Sequence, residues 1–191
     1  MRPGRRTGAI PVTVRDLRRH GDDRGPSTAL TLAFAPGDLV VLSGLPGSGK
    51  STLMRRVAAT GAAGGAVTVD SQDTRERWAS RLPGRLPYAL YRPLVRVAHY
   101  RALRRAMRSG AGVVVHDCGA QPWVRRWVAR TARRRGVRAH LLLLDVTPEA
   151  ARDGQRARGR AVSRYAFARH RRAVGALVAA AERGELPSGV A

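Results

Sequence analysis

The stretch LVVLSGLPGSGKSTLMRR, residues 39–56, constrains the fold of this chain more than any other. Its first residues form an apolar run typical of a strand buried on both faces, and the segment from Ser48 onward reads as a helix start. Between them, Gly44-Leu45-Pro46-Gly47-Ser48-Gly49-Lys50-Ser51 fits the spacing G-x-x-x-x-G-K-[ST] without a gap. Glycines at these positions let successive backbone N–H groups turn inward, and the helix N-terminus adds the positive end of its dipole. Such a loop cradles a chain of phosphates, so Gly44 through Thr52 are the expected nucleotide-phosphate contacts. Lys50 is the single lysine of a chain that also carries 35 arginines. A compact ammonium fits between β- and γ-phosphates where a planar guanidinium does not, so exchange for arginine is resisted at this position. Ser51 is the expected Mg²⁺ ligand, and ATP with Mg²⁺ the expected cofactor pair.

The 191 residues suit one domain, and 43% hydrophobic content suffices for one core. Residues 1–26, rich in Pro, Gly and Arg, read as a basic, partly ordered arm, and residues 27–191 as the nucleotide-binding domain. One cysteine, Cys118, excludes an internal disulfide framework and suits a reducing compartment. No apolar segment follows the basic N-terminus, and the longest aliphatic run, Leu141 to Leu144, is too short to span a bilayer. The expectation is a soluble cytoplasmic protein without a membrane partner. The formal charge of +23 admits nucleic acid as a partner. The arginines are nevertheless spread along nearly the whole chain, the pattern of general compositional drift. His99, His116 and His170 have no metal-type spacing with one another or with Cys118, so no zinc site is expected.

Along the chain, strands alternate with helices. The pattern predicts strands over Thr28–Phe34, Leu39–Ser43, Ala66–Asp70, Gly112–Asp117 and Val137–Asp145. Helices are expected after the phosphate loop, around Trp78, over about residues 93–109, from Pro122 to the stop at Gly136, from Thr147-Pro148, and over about Ser163–Arg183. Such alternation implies an α/β fold of three layers with a mostly parallel central sheet.

Acids are few, 13 in all, and three aspartates close predicted strands. In open parallel sheets the ligand crevice lies at the carboxyl ends of the strands. Asp117, after VVVH, suits holding Mg²⁺ through water or orienting the Ser51 hydroxyl, or else serves as a strand-end turn residue. Asp70, after AVTV, suits accepting the proton of a hydroxyl that attacks the γ-phosphate, or else caps the next helix. Asp145 reads as structural. Arg152, Arg156, Arg158 and Arg160 lie in a Gly-interrupted segment after the last strand. An arginine-rich lid closing there would neutralise charge on a transferring phosphoryl group. Tyr88, Tyr91 and Tyr100, in the segment from Arg81 to Tyr100, suit either the core or the wall of an acceptor pocket.

On these motifs the chain resembles the P-loop kinases that include polynucleotide kinases, zeta-toxin-like kinases, chloramphenicol phosphotransferase and small predicted kinases described as AAA family ATPases. The likeness runs over residues 28–180 and rests on Gly44–Ser51, VDS at 69–71, VVVHD at 113–117 and LLLLDVTPEAARDGQRARGR from 141. It implies a P-loop NTPase fold with a C-terminal arginine-rich lid and helix, and γ-phosphate transfer from ATP to a hydroxyl of a small-molecule or polynucleotide acceptor. By the same resemblance Asp70 matches the catalytic base of the chloramphenicol-kinase-like pattern, Asp117 the second strand-end acid, and Arg156 with Arg160 the lid spacing R-x-x-x-R. The polynucleotide-kinase pattern expects Asp-x-x-Arg in this region. Neither Asp70 nor Asp73 has an arginine three residues on, and alignment on Arg75 puts Gln72 at the base position, so Asp70 and Asp73 both stand as candidates. The alternative is an ATPase or nucleotide switch working with a protein or nucleic-acid partner. An ABC-type module shares APGDLVVLSGLPGSGKSTL, yet no LSGGQ-like signature follows it.

Overall fold

Strand β1 (Leu39–Gly44) is buried along its whole length, as an apolar run without alternation requires of a strand covered on both faces. It belongs to a computed structural model that describes residues 14–17, 32–59, 65–82, 87–117, 121–159 and 162–185. Helix α1 (Lys50–Ala59) follows, then β2 (Val67–Val69), α2 (Ser71–Ala79), α3 (Tyr88–Arg108) and β3 (Val113–Asp117). The series ends with α4 (Pro122–Arg135), β4 (Ala139–Leu144), α5 (Pro148–Arg156) and α6 (Arg164–Glu182). Among the described residues the sheet has four strands in the order β2-β3-β1-β4, all parallel. Placing β1 centrally sets Ser43 beside Asp117 and Gly44 beside Leu144, so the loop after β1 emerges between two strand ends.

The core follows the pleat. Leu39, Val41, Val113 and Val115 point to one face and pack with Leu103, Ala106 and Met107 of α3 and Val124, Val128 and Ala132 of α4. Burying each large aliphatic side chain here stabilises the fold by about 1.5–3 kcal/mol. A second cluster joins Leu45 of the loop to Ala151 of α5 and to Phe167 and Val174 of α6. At the amino edge of the sheet, Asp38 accepts from Arg138 N (3.0 Å) and pairs with His140 Nε2 (2.7 Å). Beside it, Arg135 donates to the carbonyls of Gly37 (3.1 Å), Ala111 (3.0 Å) and Gly110, tying two loops to the end of α4.

Helix boundaries follow local chemistry. Thr147 Oγ1 accepts from Ala150 N (3.2 Å) with Pro148 in the first turn of α5, Ser163 Oγ accepts from Ala166 N (3.2 Å), and Gly136 at φ +67° ends α4. Two expectations need correction. No strand covers Leu32–Phe34; Phe34 is instead exposed and packs on the His140 ring at 4.9 Å, while residues 28–31 lie outside the described residues. Helix α3 starts at Tyr88 rather than near residue 93, with Pro93 inside it. The exposed Pro93 forgoes one hydrogen bond at the solvent face, and buried Tyr91 and Val95 on either side hold the helix to the core. Of the arm at 1–26, Val14–Leu17 is described as coil and the rest lies outside the described residues. Among the described residues no helix is long and apolar enough to cross a membrane.

Candidate active site

The loop after β1 turns through Gly44, Gly47 and Gly49, whose φ values are +155°, +93° and +91°. At Gly49 a Cβ would meet nothing within 4 Å, so the left-handed backbone alone selects glycine there. Lys50, only 4% exposed, donates from Nζ to the carbonyls of Gly44 (2.8 Å) and Leu45 (2.6 Å) and to Ser48 Oγ (3.2 Å). The ammonium is thus held at the mouth of the loop, and Ser51 follows it, buried, in the first turn of α1.

Helix α5 is interlocked with this loop. A Cβ on Gly47 would lie 2.0 Å from Ala151 O, and one on Gly154 would lie 2.3 Å from Gly47 O, so the two backbones touch where only glycine fits. Gln155 Nε2 donates to Pro46 O (2.9 Å) and Arg158 donates to Thr52 Oγ1 (2.9 Å). Arg156, expected in a lid, is exposed and pairs with Asp153 at 2.8 Å; Arg160 lies outside the described residues. Arg152 lies over the Phe167 ring at 4.9 Å. Together with Arg164 and Arg171 of α6, Arg152 and Arg156 line an open groove of about 750 Å³. The arginine that touches the phosphate-loop helix is Arg158, which the spacing R-x-x-x-R does not select; the run of four arginines was the only sign of it.

The other wall is built by β2 and β3. Their register sets Val69 beside Val115 and so brings Asp70 next to His116. Asp70 Oδ1 accepts from Gln72 N (2.9 Å), capping α2, and pairs with His116 Nδ1 (2.9 Å). The Ser51 hydroxyl also donates to this carboxylate. Burial pushes the Asp70 carboxyl up, but the hydrogen bond and charge of His116, the Gln72 N–H and the Ser51 hydroxyl outweigh it and hold the group well below the usual carboxylate range. His99 of α3 is buried behind the pair. Burial and the neighbouring His116 push its pKa down to about 4 against the pull of Asp70. Its Nδ1 and the buried Ser43 hydroxyl have no hydrogen-bond partner among the described residues. Asp73 is exposed on the first turn of α2, and partial burial with the charges of Asp70 and Glu76 raises its carboxyl.

Asp117 closes β3 and is buried, its Oδ2 accepting from Arg125 Nη1 of α4 at 3.0 Å. Sequence reasoning gave no sign of Arg125, because an arginine on the buried face of α4 is indistinguishable from the many exposed ones. Tyr100 donates to Gln121 Oε1, Tyr91 is in the core, and the side chain of Tyr88 falls outside what is described. The donor set around Ser51, a hydroxyl joined to an ionised carboxylate with a second buried carboxylate at the next strand end, is of the hard-oxygen type that suits Mg²⁺.

Comparison with known proteins bears on the family and the fold. A family model described as an AAA domain matches residues 39–183, from β1 through α6. The chain is 34% identical over 131 residues to the aliphatic sulfonates import ATP-binding protein SsuB of Cupriavidus necator, covering 66% of this chain and 43% of that protein. To SsuB of Cupriavidus pinatubonensis it is 38% identical over 69 residues, 36% of this chain and 23% of that protein. The chain therefore spans less than half the length of the curated relatives it matches. Among solved structures, a chain of the Pnkp1/Rnl/Hen1 RNA repair complex superposes with a TM-score of 0.56 at 17% identity, covering 84% of this chain and 50% of that one. A chain of the PezAT chromosomal toxin-antitoxin system of Streptococcus pneumoniae superposes with a TM-score of 0.48 at 15% identity, covering 72% and 56%.

Proposed function

The chain belongs to the AAA domain family and is a P-loop nucleotide-binding domain, and on that premise we propose that it is a Mg²⁺-dependent kinase that moves the γ-phosphate of ATP to a hydroxyl. The observation that carries the reading is the carboxylate of Asp70, which joins the Ser51 hydroxyl of the phosphate cradle to His116 at the carboxyl edge of the sheet. An ATPase also needs an acid beside the phosphate-loop hydroxyl to hold Mg²⁺; the kinase reading gives that role to Asp117 at the next strand end and leaves Asp70 for the acceptor. Lys50 and the backbone N–H groups between Gly44 and Thr52, Pro46 excepted, bind the triphosphate. Ser51, with Asp117 behind it, would hold Mg²⁺, which supplies charge neutralisation to the phosphates when bound.

Asp70 orients the acceptor hydroxyl. Because its carboxyl titrates far below neutrality, it is an acceptor of hydrogen bonds at working pH rather than a strong base. Phosphoryl transfer through a loose transition state needs little proton removal before the new P–O bond forms, so such a group is adequate. The proton passes late to Asp70, whose carboxylate His116 at 2.9 Å holds in place. Arg158, which donates to Thr52, supports an arginine contribution to the phosphate site, and Arg156 and Arg160 are further candidates for it.

The test is transfer of labelled γ-phosphate into a mixture of nucleosides, oligonucleotides, sugars and aminoglycoside-type hydroxyl compounds. Asp70→Asn should keep nucleotide affinity and lower transfer by about two to four orders of magnitude. Lys50→Ala should lose nucleotide binding. The same loss in Asp73→Asn, with Asp70→Asn active, assigns the base to Asp73. Labelled inorganic phosphate as the sole product favours the ATPase reading instead, which the likeness to import ATP-binding proteins supports.

A further inference from the structure

Helices α3 and α4 lie side by side on one face of the sheet, and the outer side of that layer holds a second groove, of about 680 Å³. We propose that this groove binds single-stranded nucleic acid, its aromatic floor stacking bases and its arginine rim holding phosphates. The surface is separate from the phosphate loop, and the inference does not rest on the kinase reading.

The floor is a connected aromatic row. The Tyr100 and Trp123 rings meet edge to face at 4.7 Å, and the Trp123 and Trp127 rings are nearly parallel, at 19° and 6.2 Å. All three line the groove, and Trp123 is 44% exposed. An indole kept at the surface on the first turn of α4 contributes little to the core and offers a π-face to a planar ligand. The rim is cationic. Arg101, Arg104 and Arg108 follow one another along α3, Arg134 faces them from α4, and no acid lines the groove. All four guanidinium side chains belong to exposed residues.

Arginine abundance alone would mean little in this chain, but the acids are distributed unevenly. Residues 77–144 hold 16 arginines and one acid, Asp117, which is buried against Arg125. A uniform spread of the 13 acids would put four or five in that span. Shorter acid-free stretches occur at 39–69 and 154–181, but the depletion is deepest over the segment that builds the groove, which drift toward arginine alone does not explain. Basic side chains alternating with stacking platforms are what an unpaired strand needs, because every base has a π-face and every linkage a charge. A duplex hides its base faces, and an acidic peptide has no ring to stack.

The groove also has a direction. α3 ends just before β3 and α4 begins just after it, so Trp123 sits at the carboxyl edge of the sheet and Arg108 and Arg134 at the amino edge. From Trp123 to Arg134 the helix rises roughly 17 Å, a length for several nucleotides. The strand would thus start near Gln121, beside the end of β3, and run away from the phosphate loop.

The experiment uses the full chain without ATP. Trp78→Phe leaves Trp123 and Trp127 as the only tryptophans, so quenching of their fluorescence reports on the groove. A single-stranded oligonucleotide of mixed sequence should quench it saturably, and the matching duplex, inorganic polyphosphate and polyglutamate should bind far more weakly. Trp123→Ala, followed by anisotropy of a labelled oligonucleotide, should raise Kd roughly tenfold, and Trp123→Phe, which keeps a stacking face, should stay close to wild type. Arg104→Ala should reduce the slope of log Kd against log salt by about 0.7, the effect of one phosphate contact on a single strand. Equal binding of polyphosphate and oligonucleotide, with Trp123→Ala unchanged, would reduce the surface to a general polyanion patch and overturn the proposal. Tighter binding of polyglutamate would overturn it in favour of an acidic protein partner. Should Trp123→Ala fail to fold, Trp123→Phe and Arg104→Ala still decide. Failure of any of these leaves phosphoryl transfer untouched, so the two readings fall separately.

Discussion

Lowering the pH should destabilise this protein through His99 in particular, by an amount that the structure sets. His99 is buried on α3 at 7% exposure, and its pKa is held at about 4. In the unfolded chain the same ring titrates near 6.5. Between these values the unfolded state carries a proton that the folded state does not, so stability declines as pH falls below about 6.5 and the decline from this group is complete below about 4. That depression corresponds to about 3 kcal/mol in full, of which about 2 kcal/mol is already lost at about pH 5. Other groups titrate as well, Asp70 among them, whose depressed carboxyl contributes stability that is lost only at lower pH. A comparison with His99→Phe isolates the one ring, since phenylalanine keeps the edge contact that His99 makes with Tyr100 at 5.4 Å. Urea denaturation of both proteins at matched ionic strength should show the stability difference moving in favour of the variant by about 2 kcal/mol between about pH 7 and pH 5. A difference that stays flat over that range would refute the assignment of a neutral, unprotonated His99 to the folded state.

The buried pair of Arg125 and Asp117 should be costly to break from one side. Arg125→Met takes the guanidinium away from a buried carboxylate, which costs about 3–5 kcal/mol, or roughly 10 °C in Tm for a domain of this size, read by thermal denaturation. Pairing it with Asp117→Asn should recover part of the loss. Gly154→Ala drives a methyl into Gly47 O at 2.3 Å, so it should weaken nucleotide binding measured by calorimetry as well as stability. Gly175→Ala on α6 meets nothing within 4 Å and should raise stability by about 0.5–1 kcal/mol.

What the sequence reveals here is what is local. Gly44–Ser51 declares itself because strand, turn and helix start are consecutive, and Thr147-Pro148 and Ser163 declare their helices through caps that act within three residues. Strand ends at Asp70 and Asp117 follow from apolar runs closed by an acid. The contacts that turn these into a site are not local. His116 meets Asp70 across 46 residues because β2 pairs with β3 in one particular register, and Asp38 meets His140 across 102. Arg125 was hidden by composition, since a chain with 35 arginines gives no hint which one is buried. The earlier start of α3 has an energetic reason. The first turn of α3 is held by tertiary packing of Tyr91 and Val95, which overrides the local preference to start the helix later.

The glycine-to-glycine contact between the phosphate loop and α5 has a thermodynamic corollary. Two backbones in contact have no side chain between them to absorb displacement, so a shift of α5 is a shift of Pro46 and Gly47, and Gln155 on Pro46 O couples them further. Nucleotide affinity and the position of α5 are therefore linked functions. Any anion that settles among Arg152, Arg156, Arg164 and Arg171 and favours one position of the helix changes nucleotide affinity by some factor, and bound nucleotide must change affinity for that anion by the same factor.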